Sequence, residues 1–153
     1  MAHVTFKQCL IIASLSLPTS FVMEHLNITM SKSVDHRIFW LSQESVQKND
    51  YIVFNLSNAL LEKPPVKITK KIVCISGEYL KIEHNKVFCN NSFLGVQKHY
   101  THDGRTLPLF KFNGKIPADN LFVMGTHKDS FDSRYWGFVD LNQTQIQKAV
   151  ALL

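Results

Sequence analysis

Two serines with one residue between them, Ser31 and Ser33, and two adjacent lysines, Lys70 and Lys71, are residue types that could together make and break an acyl bond. A serine hydroxyl is a weak nucleophile and needs a neutral base within hydrogen-bond reach. Lysine can be that base only where apolar surroundings disfavour its ammonium form and bring its pKa from about 10.4 towards neutrality. The lysines lie in a run that also holds Ile68, Ile72 and Val73, which can supply such walls. Strand alternation does not choose between the two, since each has an apolar neighbour two residues away. Further along, Ser130, Asp132 and Arg134 crowd into one segment, with His127 just ahead as a second candidate base. The residues His99, His102 and Asp103 are of metal-ligating types, but they sit in a turn-rich stretch without further ligands at helical spacing, so no metal is expected. Singly, each of these groups has an ordinary reading as a turn hydroxyl, an exposed lysine or a surface ion pair.

The elements that must position these groups read as short strands. Runs with β character occur at 36–41, 51–56, 66–75, 79–82, 86–89, 107–112 and 121–124, separated by turn residues such as Asn49-Asp50, Pro64-Pro65, Ser76-Gly77 and Asn90-Asn91. That spacing predicts a mainly β domain. The tail, Asn142 to Leu153, has a capping residue and apolar positions at Ile146, Ala149, Val150 and Leu153, which predict a short terminal helix. With 153 residues, 45% hydrophobic and 19% charged, the chain has the composition of one folded domain. Its net charge of +5 is scattered, and it carries no Gly-rich phosphate loop, so neither a nucleic-acid partner nor a nucleotide or other cofactor is expected.

From Cys9 to Met23 runs an uncharged, largely apolar segment, preceded by Lys7 and followed by Glu24. Extended to Leu26, it is nearly long enough for a transmembrane helix, with a cleavable signal peptide and a buried helix as competing readings. The expected organisation is a cytoplasmic tail over 1–8, an anchor over 9–26 and an extracytoplasmic domain over 27–153, oriented by Lys7. Cys74 and Cys89 are expected on strands flanking a hairpin region outside the membrane, where an oxidising compartment allows a disulfide.

The segment from Met124 to Val139 closely resembles the C-terminal signature of type I signal peptidases, in which a Gly-Asp-Asn-like turn is followed by a run matching Ser130-Phe131-Asp132-Ser133-Arg134-Tyr135-Trp136-Gly137. The stretch from His127 to Phe131, and the element Asp103-Gly104-Arg105-Thr106-Leu107-Pro108, look most like the conjugative-transfer, TraF-type branch. Ile68 to Leu80 resembles the family's base-bearing motif, and Lys48 to Phe54 the strand before it. Ser31 to Trp40 resembles the nucleophile box, with Asp35 and Arg37 in place of the usual Pro and Gly.

The resemblance implies an antiparallel β domain of signal-peptidase/LexA-like fold with an N-terminal membrane-anchor helix. It also implies roles: Ser33 as nucleophile, Lys70 as general base, Ser31 as an oxyanion-hole hydroxyl, Ser130 as the group that orients Lys70, and Asp132 with Arg134 as a supporting ion pair. A register making Ser31 the nucleophile is the alternative. The expected function is a membrane-anchored serine endopeptidase that cleaves signal or leader peptides from preproteins, with pilin-like substrates of a conjugation system, from the bacterial inner membrane with its catalytic domain in the periplasm. A catalytically inactive envelope scaffold with the same fold is the alternative outside enzymology.

Overall fold

The computed structural model describes residues 23–61 and 63–153. Most of the expected anchor lies outside them. Residues 23–25 are helical, and Leu26, expected to end the anchor, instead opens a strand. Among the described residues no helix is long and apolar enough to cross a membrane.

After the helical residues 23–25, eleven strands and one short helix make up the described fold: β1 (Leu26–Ile28), β2 (Ile38–Ser42), β3 (Tyr51–Leu56), β4 (Val66–Ile75), β5 (Tyr79–Glu83), β6 (Lys86–Cys89), β7 (Ser92–Val96), β8 (Asn113–Lys115), β9 (Asn120–Met124), α1 (Ser133–Trp136), β10 (Val139–Asp140) and β11 (Ile146–Ala151). They form a seven-stranded sheet in the order β1-β2-β11-β3-β4-β9-β10 and a four-stranded sheet in the order β7-β6-β5-β8. Every pairing between strands is antiparallel. The mainly β architecture expected from the turn spacing is therefore observed.

Two elements differ from the sequence reading. The tail is a strand, not a helix: β11 lies between β2 and β3, with Ala149 opposite both Leu41 and Tyr51. The tail's apolar spacing fits a helix face, but an extended tail supplies backbone partners to two strands that would otherwise face each other unpaired, and this outweighs local preference. The stretch 107–112 also forms no strand. Its Phe110 and Phe112 rings pack with Phe138 instead, at centroid separations of 5.2 and 4.9 Å, and pairing with β5 falls to the next three residues as β8.

Strand β4, at ten residues, organises the molecule. One edge pairs with β3 and the other with β9, where a bulge between Ile72 and Cys74 shifts the register. Its far end reaches the smaller sheet through a Cys74–Cys89 disulfide with a Cα separation of 5.9 Å, the pairing the two cysteines predict. Cys74, Leu80, Val87, Cys89, Ile116, Phe122 and Met124 form one buried cluster spanning both sheets. A second cluster joins Val34 to Phe39, Leu41, Val53 and Ala149, which anchors the loop bearing Ser31 and Ser33.

Candidate active site

Lys70 lies in the middle of β4, opposite Ile52 of β3 and one residue before Lys71, where pairing with Met124 of β9 begins. Such a position buries whatever it holds, and Lys70 is 3% exposed. Lys71 is only half-buried and lies with its Nζ 6.0 Å from the Tyr51 ring centroid. The structure thus separates two lysines that alternation alone leaves equivalent. The Lys70 amine donates to Ser130 Oγ at 2.7 Å, and both groups are buried. Burial is the main influence on the amine and disfavours its charged form. Asp132 attracts the charge and Arg134 repels it, and the net result brings the pKa down from 10.5 to about 8.

Ser130 is held by a frame that needs little secondary structure. A turn closes behind it through Ser130 N–H to His127 O at 3.0 Å. Asp132 then caps the four-residue helix α1, its side chain accepting from Arg134 N–H. The same carboxylate takes two bonds from the Arg134 guanidinium, at 2.8 Å each, and a third from Gly125 N–H at 2.9 Å. Arg134 uses two further donors on Val96 O and on Ser130 O, at 2.9 and 3.1 Å. Asp132 and Arg134 are both buried, so each satisfies a charge the other could not leave unpaired. Gln97, also buried, donates to the carbonyls of Arg134 and Phe110 and so ties this frame to the aromatic cluster.

Ser33 reaches this group through its backbone. Its carbonyl accepts from His127 N–H at 3.3 Å. Gly125 brings them closer, because a Cβ placed there would overlap both Ser130 Oγ and the Ser33 carbonyl oxygen. Only glycine lets the loop bearing Ser33 meet the segment bearing Ser130 at this distance. Ser33 is half-buried and Ser31 is exposed.

His127 is exposed, and its Nδ1 accepts from Asp129 N–H at 3.2 Å, as in a loop cap. His99 pairs with Asn85 at 2.9 Å, and Asp103 accepts from Thr101 and Arg105 within its own turn. Among the described residues, the group of side chains close enough to share a metal ion is Cys74, Glu78 and Cys89, two of which are joined as a disulfide and so are not thiolate ligands.

The family model for signal peptidase, peptidase S26, matches residues 2–152. The chain belongs to the signal peptidase family, peptidase S26. A Synechocystis protein described as "Probable signal peptidase I-2" is 28% identical over 96 residues, covering 61% of this chain and 42% of that relative, so the match spans less than half of the relative's length. The crystal structure of an Enterococcus faecalis signal peptidase I is similar at 23% identity, with a TM-score of 0.45, covering 73% of this chain and all of that one.

Within this signal peptidase family member, two groups of residues escaped the reading of the sequence. Gly125 lies in the segment that resembles the family's C-terminal signature, and a glycine at the end of an apolar strand is a signal for close backbone approach. A polar cluster of Asn27, Thr29 and Thr69 also lies beside the site: Asn27 donates to Thr69 Oγ1 at 3.2 Å, and the Thr29 and Thr69 hydroxyls are 3.1 Å apart. It links β1, which leads into the Ser31–Ser33 loop, to the residue preceding Lys70. Nothing in the sequence pairs residues so distant along the chain.

Proposed function

We propose that this signal peptidase family member is a serine endopeptidase in which Ser33 and Lys70 form the catalytic dyad. The carrying observation is the buried Lys70 amine, hydrogen-bonded to Ser130 and brought down to a pKa of about 8. At that value a useful fraction is neutral near pH 8, which a general base requires. In this reading Ser33 Oγ attacks the scissile carbonyl while Lys70 takes its proton and then delivers one to the leaving amine. Water, activated by the same amine, resolves the acyl ester. Ser130 orients the Lys70 amine. The Ser31 hydroxyl, with the Ser33 backbone N–H, stabilises the oxyanion.

The substrates in this reading are the signal or leader peptides of exported preproteins. Pilin-like precursors of a conjugation system are the finer assignment, supported by the likeness of residues 103–108 and 127–131 to the conjugative-transfer branch. The uncharged segment after Lys7 supports a single-pass anchor in the bacterial inner membrane with the catalytic domain in the periplasm.

Cleavage of a preprotein by serine variants tests the dyad. Ser33→Ala is expected to leave no measurable product. Ser31→Ala, which removes one oxyanion donor, is expected to slow turnover by about 10² to 10³-fold. The reverse pattern moves the nucleophile to Ser31.

A further inference from the structure

We propose that Asp35 is a positioning residue, whose hydrogen bond with Thr126 latches the Ser33 loop onto the segment that carries Gly125 and leads to Ser130. This rests on the reading of Ser33 as nucleophile.

Asp35 Oδ1 accepts from Thr126 Oγ1 at 2.6 Å. The loop between β1 and β2 has no regular structure of its own. At its base it is closed by Thr29 N–H to Arg37 O at 2.8 Å, and at its middle Val34 is sunk in the core. Ser33 and Asp35 flank Val34, and both bond to residues 126–127. From Ser33 the bond is backbone only and long, at 3.3 Å from His127 N–H. From Asp35 it is short and charge-assisted. The Asp35 bond, although exposed, is the shorter of the two hydrogen bonds that hold the Ser33 loop against residues 126–127, and the one made by a side chain.

The residue type matters because the nucleophile box that this segment resembles has proline at this position. Proline fixes φ from within the loop, whereas aspartate leaves it free, so the conformational entropy lost on ordering the loop must be offset from outside. The Thr126 hydroxyl supplies that restraint across 91 residues of sequence. A loop so held presents Ser33 to the Lys70 amine in one geometry, and a small displacement there affects turnover more than binding.

The test compares Asp35→Ala, Thr126→Val, the double variant and Asp35→Asn in the full chain. A preprotein serves as substrate, and amide hydrogen exchange over 31–36 is followed in parallel. Asp35→Ala and Thr126→Val are each expected to lower kcat about tenfold, the low end for a hydrogen bond to a charged group, with KM nearly unchanged. The double variant is expected to be no slower than either single variant, and Asp35→Asn, which keeps an oxygen acceptor, to recover most of kcat. Exchange is expected to quicken in the alanine and valine variants and not in Asp35→Asn. Unchanged kcat, multiplicative losses in the double variant, or an asparagine variant as slow as the alanine one would overturn the proposal. If the wild-type chain cleaves no preprotein, the reading of the site fails by itself, and the exchange comparison alone upholds or overturns the latch.

Discussion

In the proposed dyad, Lys70 is the residue on which chemistry and stability pull in opposite directions. Its pKa of about 8 in the fold lies below its ordinary value of 10.5, so between these pH values the unfolded chain binds a proton that the folded chain does not. Stability therefore rises with pH through this window, and below pH 8 the full cost of burying the ammonium is present. Lys70→Met is expected to remove activity while folding at least as stably as the wild type at pH 7, and to flatten the stability profile between pH 8 and 10, measured by urea unfolding. A marked loss of stability at pH 7 would show the amine to be structural. Activity of the wild type is expected to rise through about pH 8 as Lys70 deprotonates. His127→Ala should leave that limb in place. A profile governed by a group near pH 6.5, abolished by His127→Ala and not by Lys70→Ala, would pass the role of base to the histidine.

At the level of elements, the site depends on how closely the end of β9 approaches the Ser33 loop. Gly125→Ala places a methyl group against the Ser33 carbonyl and the Ser130 hydroxyl. Since one neighbour is backbone, the loop must move, and the expected cost is about 1 to 3 kcal/mol with a loss of activity out of proportion to it. A variant with wild-type kcat would show that the approach does not matter. The helix α1 is too short to hold itself, and the Asp132–Arg134 pair gives it its place. Arg134→Met leaves the Asp132 carboxylate buried without its partner, and it is expected to cost about 3 to 5 kcal/mol in thermal or urea unfolding. An Asp132→Asn/Arg134→Met double variant should cost less than the sum of the two singles, because the stranded charge is gone.

Across the whole molecule, the Cys74–Cys89 bridge joins the strand that carries Lys70 to the smaller sheet. Its sequence separation of 15 corresponds to about 3 kcal/mol of lost unfolded-state freedom. Replacing both cysteines with alanine is expected to lower the urea midpoint accordingly, with activity kept at room temperature, since the bridge lies four residues beyond Lys70 on a strand held on both edges. Thiol labelling of the unreduced, denatured chain should modify Cys9 alone. Three reactive cysteines would rule the bridge out.

Six of the strands, β2 to β6 and β9, were legible in the residues themselves, because strand formers between turn residues are local features of the chain, and a lysine among apolar neighbours was legible as a candidate base. The cysteine pairing was legible as well, from two thiols on strands flanking a hairpin region. The tail's fate was not. Whether residues 146–151 form a helix or a strand depends on the open slot between β2 and β3, which exists only once the sheet has assembled. Strand alternation left Lys70 and Lys71 equivalent and only the family resemblance favoured Lys70; the assembled sheet then buries Lys70 and leaves Lys71 half-exposed. The close approach at Gly125 and the Asp35–Thr126 bond are likewise contacts between segments about 90 residues apart. Local preference determines what a segment can be, while burial and hydrogen-bond satisfaction across the assembled sheets decide which of those possibilities each segment takes.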